Sequence, residues 1–367
     1  MRLAGRAHSI NSTVRTLIAR NFNALPIIDI SALIQDDKSS SAVDCTAAEL
    51  HKACRDVGFF YIKGHGMPDA VTEGVRREAR RWFELPASAK QQIALGPQTA
   101  YRGYQQLGAN VTRYDGGFQR DWHEAIDLYK EETDMAASPV HGRNQWPHHC
   151  PAFEGALRQY IDGCLHIGQA VMRGIARGLG LQPGYFETAK GGSTTADSSY
   201  WVTRVIHYPP LEQGAATTGS PQAAPGREID RSVQLSCGEH TDYGLLTLVN
   251  QDPDIPALQV KNARGEWISA APIPGTFVCN IGDMMRVYTN GEYTPTLHRV
   301  VNTDPSCSRV SVPFFYETSF DAEVAPIPAL LQPGEAPKCA PVRYGRHLES
   351  KVLSNFELEP QADIVAG

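Results

Sequence analysis

The back half of the chain is a succession of short runs rich in Val, Ile, Phe and Tyr, separated by Pro and Gly turns: "WVTRVIHYPP", "GLLTLVNQ", "LQVKN", "EWISA", "TFVCNIGD", "LHRVVN" and "RVSVPFFYE". β-Branched and aromatic residues suit a pleated, half-buried surface, and the turn residues between the runs leave little room for crossover helices. Many short strands at that spacing predict a sandwich or jelly roll rather than βαβ units. The front half reads differently. Residues 69–93 place Ala70, Val71, Val75, Ala79, Trp82 and Phe83 at positions that face a core, with Pro86 breaking the run. Over residues 152–180, Phe153, Leu157, Ile161, Leu165, Val171, Ile175 and Leu179 recur at helical spacing before "GLG" stops the pattern. The expected chain is α+β, with a leader over 1–24, a mostly helical region over 25–195, a jelly-roll core over 196–318 and a tail with a helix over 319–367. A Gly-, Ala-, Thr- and Pro-rich insert between Leu211 and Arg231 is expected to be a surface loop.

Bulk properties narrow the function. The 367 residues suffice for a sizeable core, and 42% hydrophobic and 20% charged residues with a net charge of -6 are ordinary for a globular protein. No basic stripe with interleaved aromatics offers a footprint for nucleic acid, and no apolar run approaches the roughly 20 residues of a membrane span. The expectation is a soluble protein with neither nucleic acid nor membrane as partner. Its eight cysteines contain no C-x-x-C pair and read as reduced intracellular thiols in a cytoplasmic protein. The leader carries Arg2, Arg6, Arg15 and Arg20 and no acidic residue, a composition shared by organellar transit peptides and by disordered extensions.

"CGEHTDYGLLTLV" sets His240 and Asp242 two residues apart at the mouth of an apolar run. On a strand, positions i and i+2 project to one face, whereas on a helix they diverge by roughly 160°. The spacing therefore favours two metal-competent groups at a strand end. His298 in "TPTLHRVVN" is the best third donor, again leading a β-like run, and two histidines with one carboxylate form the facial set used for non-haem Fe(II). His347 and Glu349 repeat the spacing, but in a helical-looking tail with no histidine after them. Arg309 and Ser311 share a strand face by the same alternation, and a guanidinium beside a hydroxyl suits a carboxylate. A lone His-x-Asp is more often an exposed histidine and a capping aspartate; an Arg-x-Ser inside an otherwise apolar run is what tips the balance.

In order, "LPIIDIS", "VGFFYIKGHGM", "HTDYGLLTLVNQD", "PGTFVCNIGDMM", "NGEYTPTLHRVVN" and "RVSVPFFYE" resemble the Fe(II)- and 2-oxoglutarate-dependent dioxygenases of the isopenicillin N synthase-like superfamily. "YRGY", "WHEAIDLYKE" and "FFYETSFDA" look closest to the plant-type soluble members. The resemblance covers about residues 25–356. It implies a double-stranded β-helix core behind a helical N-terminal region, iron on His240, Asp242 and His298, and the distal carboxylate of 2-oxoglutarate on Arg309 and Ser311. Tyr208 in "VIHYPP" matches a tyrosine that supports the cosubstrate, although members with an "NYYP" signature have Asn where this chain has Ile206. The implied cofactors are Fe(II), 2-oxoglutarate and O2, with ascorbate as a reductant; the reaction is hydroxylation or desaturation of a small molecule, with release of succinate and CO2.

Three rivals use the same residues: an iron oxidase independent of 2-oxoglutarate, a zinc hydrolase, and a jelly roll that only binds a ligand. For the primary substrate, Phe315 shares the Arg309 face as a pocket wall. Arg102 in "YRGY" is expected over the site mouth and Arg204 on the face of Tyr208. Two converging cations would select a small anionic carboxylic or amino acid. The competing reading has Arg102 solvated and Arg204 paired with a carboxylate such as Glu239 or Asp283. The protein is expected to act as a monomer.

Overall fold

In the computed structural model the described residues are 23–35, 41–114, 117–132, 134, 136–187, 199–210, 235–301, 304 and 306–356. Most of the leader, the insert Leu211 to Arg231 and the last eleven residues lie outside them. Five helices of more than one turn are α1 (Ser41–Asp56), α2 (Asp69–Phe83), α3 (Pro151–Gly178), α4 (Asp283–Tyr288) and α5 (Tyr344–Phe356). The strands begin with β1 (Ile27–Asp29), β2 (Phe59–Lys63), β3 (Gly103–Gln105), β4 (Val111–Tyr114), β5 (Gly117–Arg120), β6 (Glu124–Tyr129), β7 (Trp201–Tyr208) and β8 (Leu235–His240). They continue with β9 (Leu246–Gln251), β10 (Leu258–Lys261), β11 (Trp267–Ser269), β12 (Phe277–Ile281), β13 (His298–Val301), β14 (Arg309–Tyr316), β15 (Glu323–Val324) and β16 (Val342–Arg343).

Local chemistry fixes the joints. Helix α1 buries Val43, Ala47, Leu50 and Cys54 along one stripe and stops where Gly58 takes φ +78°. The N–H groups of Val57 and Gly58 both return to the Ala53 carbonyl, at 3.0 and 2.8 Å, a left-handed C-terminal cap that only glycine adopts without strain. The chain leaves that cap directly into β2, whose Phe59 to Ile62 are all buried.

Two sheets form the jelly roll. The larger has the order β1-β2-β12-β9-β14-β7-β6-β3 and the smaller the order β11-β10-β13-β8. The large sheet separates two apolar layers. On its outer face Val310, Val312, Phe314 and Tyr316 of β14, with Leu246 and Leu248 of β9, join the core built by α2 and α3, and the Tyr160 hydroxyl of α3 donates to the Val312 carbonyl at 2.6 Å. On its inner face Phe59, Tyr61, Ala125, Ile206, Tyr208 and Val278 meet Leu258, Val260 and Val300 of the small sheet. Strand alternation thus sends Arg309, Ser311, Phe315 and, two residues on, Glu317 toward the space between the sheets. Their partners across the ladders follow: Arg309 opposite Tyr208, Ser311 opposite Ile206 and Gln251, and Phe315 opposite Val202 and Thr247.

One expectation needs correction. The region before residue 196, read as mostly helical apart from a strand in "LPIIDIS" and a β-rich run over Gly58 to Ile62, gives those two as β1 and β2 and adds β3 and β6 to the main sheet. Strand β6 is buried on both faces, and a strand covered on both sides lacks the in-out polarity pattern by which strands are read from sequence. Among the described residues, no helix is long and apolar enough to cross a membrane.

Candidate active site

His240 is the last residue of β8 and Asp242 lies in the turn that follows, while His298 opens β13 and pairs with His240 across the small sheet. The ladder sets the two imidazoles side by side, with ring centroids 4.2 Å apart. Donor atoms of His240, Asp242 and His298 all lie within 4.8 Å of one another, the single such group among the described residues. Each ring is oriented from behind. His240 Nδ1 sits 2.8 Å from the Gly238 carbonyl and His298 Nδ1 3.2 Å from the Thr296 carbonyl, so Nδ1 carries the proton in both and the Nε2 lone pairs face forward. The two Nε2 atoms are 3.7 and 3.5 Å from one oxygen, Oδ1 of Asp242. Its other oxygen accepts from Thr247 at 2.5 Å and Asn280 at 2.6 Å. Burial alone would raise the Asp242 pKa, but the two histidines and the Asn280 amide outweigh it and hold the carboxyl well below its ordinary range. Two imidazoles with convergent Nε2 atoms and a carboxylate, each fixed by an outer partner, are a donor set that fits a divalent metal.

The cosubstrate residues lie further along the same face. Arg309 is 3% exposed and has no carboxylate within ion-pair distance among the described residues. Its Nη2 donates to Gln251 at 3.0 Å, its Nη1 reaches Ser311 at 3.4 Å, its Nε has no partner, and its guanidinium lies 4.9 Å over the Tyr208 ring. A buried guanidinium without a counter-charge is costly, and this one is oriented to receive an anion. Tyr208 itself is buried, and Phe315 is half-buried opposite Thr247.

Arg102 is a correction. It is 0% exposed, and its guanidinium donates to the carbonyls of Tyr129 (3.1 Å), Lys130 (3.2 Å) and Val140 (2.9 Å) and to Asn144 Oδ1 (3.0 Å). Five donors in one planar fork can tie together three chain segments, which is what this residue does in place of reaching a site mouth. Arg204 does face the interior, paired with neither Glu239 nor Asp283: its Nε lies 2.7 Å from Asp127 and its Nη2 donates to Gln105 at 2.8 Å. His347 and Glu349 diverge on α5, and Glu349 pairs with Arg346.

Sequence reading missed several supports. Asp121 accepts from the Gly238 N–H at 3.0 Å and His123 Nδ1 meets the Ser236 carbonyl at 2.8 Å, so two residues of "DWH" grip the β8 backbone that carries His240. Burial and then the nearby Arg204 charge push His123 down to about 3, so it stays neutral. Thr247, Asn280 and Gln251 carried a signal, being polar residues inside apolar strand runs.

A jelly roll that seats two histidines and a carboxylate beside a buried, unopposed guanidinium defines a mononuclear iron oxygenase that takes a dicarboxylate cosubstrate. Comparison with known proteins agrees. Residues 25–149 match the family described as the non-haem dioxygenase in morphine synthesis N-terminal region, and residues 202–318 match the 2OG-Fe(II) oxygenase superfamily. A protein of Glycine max named homoarginine-6-hydroxylase 2-ODD-C23 is 44% identical over 349 residues, covering 92% of this chain and 99% of that protein. A homoarginine-6-hydroxylase of Oryza sativa is also 44% identical, over 92% and 98%. Among solved structures, JOX2 in complex with 2OG, Fe and JA superposes with a TM-score of 0.72 at 25% identity, covering 93% of this chain and 90% of that one. A full-length Neurospora crassa protein in complex with alpha-KG and 5-formyluracil gives 0.72 at 25%, over 90% and 96%. The chain belongs to the 2OG-Fe(II) oxygenase superfamily. It is a plant-type 2-oxoglutarate-dependent dioxygenase that uses Fe(II) and oxidises a small organic molecule.

Proposed function

We propose that this dioxygenase hydroxylates a free amino acid ending in a guanidino group, homoarginine being the substrate for which its 44%-identical relatives are named. In this reading His240, Asp242 and His298 hold the iron. Bound there, Fe(II) with 2-oxoglutarate and O2 supplies the oxidant for an unactivated C–H bond, with succinate and CO2 as co-products. Arg309 and Ser311 take the distal carboxylate of 2-oxoglutarate, Gln251 fixes the plane of the guanidinium, and Tyr208 lies against its face. Phe315, next to Thr247 across the ladder, walls the reacting centre and excludes water.

The observation that carries the cosubstrate assignment is the buried Arg309 with no carboxylate partner. For the substrate, Arg204 and Asp127 present opposite charges side by side on the interior face, and 22% of the Arg204 side chain is accessible there. A zwitterionic amino-acid head fits such a pair, carboxylate on the guanidinium and ammonium on Asp127. The test is succinate release by the Fe(II)-loaded protein with 2-oxoglutarate, comparing homoarginine, lysine and a neutral carboxylic acid. Homoarginine-dependent succinate with a matching yield of hydroxylated product is expected; succinate release indifferent to homoarginine overturns the substrate assignment.

A further inference from the structure

Hydroxylation next to a guanidino nitrogen places a cation within a bond or two of the reacting carbon, so the pocket needs a counter-charge close to the metal. Asp127, with Arg204, is given over to the amino-acid head in that reading, and Asp242 belongs to the triad. One further carboxyl lies on the same interior face. Glu317 continues the alternation of Arg309, Ser311 and Phe315 just past the end of β14, about 7 Å along the chain from Phe315. Phe315 stands opposite Thr247, which holds Asp242.

Glu317 is 3% exposed, its Oε2 has no hydrogen-bond partner, and no Lys or Arg pairs with it among the described residues. It rests against Gly244, two residues after Asp242; any side chain at 244 would collide with the carboxyl, so the absence of a Cβ there is what admits Glu317. Tyr200 and Tyr344 lie beside it with their rings 6.4 Å apart, and both hydroxyls are buried. The Tyr344 hydroxyl and the Leu245 backbone N–H bear on the carboxyl, and neither brings a positive charge. Burial, with the Asp242 charge adding to it, pushes Glu317 well above the ordinary carboxyl range, the state of an acid that lacks its cation. A buried carboxyl with one unpartnered oxygen and two tyrosines beside it has the chemistry of a guanidinium receptor.

We propose that Glu317, walled by Tyr200 and Tyr344, binds the guanidinium of the substrate and sets the enzyme's preference for a cationic over a neutral side chain. This rests on the amino-acid reading of the previous subsection. The interior face then carries opposite anchors at its two ends, Arg309 for the cosubstrate and Glu317 for the substrate, with the metal triad between.

The experiment measures kcat/KM for homoarginine and for homocitrulline, its neutral ureido analogue, with the Fe(II)-loaded parent and with Glu317→Gln. The parent should prefer homoarginine by at least roughly 10- to 100-fold, and Glu317→Gln should lose that factor through KM for homoarginine, so that its preference over homocitrulline collapses. A parent that accepts both substrates equally overturns the proposal without recourse to any variant. So does a Glu317→Gln protein whose two activities fall together with its thermal midpoint, the mark of a carboxyl that only supports the fold. A parent inert toward homoarginine overturns the substrate reading as well, whereas an active parent whose preference survives Glu317→Gln overturns this proposal alone.

Discussion

Asn280 donates to Asp242 Oδ2 at 2.6 Å, from a strand that shares no sequence neighbourhood with the aspartate. With Thr247 on the same oxygen, it leaves Oδ1 alone to face the two histidine Nε2 atoms. The carboxylate is therefore fixed before any metal arrives. Asn280→Ala and Thr247→Val should each weaken metal binding by about 10- to 100-fold while the fold persists. Anaerobic Fe(II) or Co(II) titration checks this, and parent-like affinity in both variants would show that the outer bonds are incidental.

Removing a ligand is harsher. Asp242→Ala leaves two imidazoles without the carboxylate and should abolish homoarginine-dependent turnover, with metal content after dialysis falling alongside it. Full occupancy and activity in this variant would mean that the metal sits elsewhere.

Arg309→Lys replaces a planar fork with a point charge and loses the contact to Gln251. A charge-assisted contact is weakened by roughly 1.5–3 kcal/mol, which is about a ten- to hundredfold rise in the 2-oxoglutarate concentration required. The substrate KM should move little. A cosubstrate dependence equal to the parent's argues instead that Arg309 serves the primary substrate.

Arg102→Ala should act on stability alone. It strands the carbonyls of Tyr129, Lys130 and Val140, together with Asn144, in a buried setting, at a cost of about 3–5 kcal/mol. Denaturant unfolding should register that loss while any protein that remains folded keeps the parent's substrate KM. A variant of undiminished stability and raised KM would restore Arg102 to the substrate site.

His123 makes stability depend on pH. Its folded pKa is depressed to about 3 by burial and the Arg204 charge, so between the ordinary histidine value and that limit the unfolded chain binds more protons than the folded one. Its contribution is complete above about pH 6.5 and declines by roughly 1.4 kcal/mol per pH unit below it. Unfolding free energies of parent and His123→Asn between pH 7 and pH 5 should converge as the pH falls; parallel curves would mean that His123 is not kept neutral by the fold.

The amino-acid sequence determined the jelly roll, through short β-rich runs bounded by turns, and it singled out His240, Asp242 and His298, which the fold brings together, and Arg309 with Ser311. Arg309 and Ser311 share a face of β14 by local alternation alone, whereas β8 ends at His240 and the turn after it brings Asp242 round to the same side. What depends on distant chain segments was not legible. Strand β6 hid because both its faces are covered, which erases alternation. Arg102 and Arg204 look alike as letters, yet one is enclosed by carbonyls of the 129–140 segment and the other meets Asp127 across a ladder. Nothing in the run "RVSVPFFYE" singles out Glu317. Only the packing of α5 and the 241–245 turn against it, which removes water and supplies no cation in return, turned it into a buried acid beside the metal site.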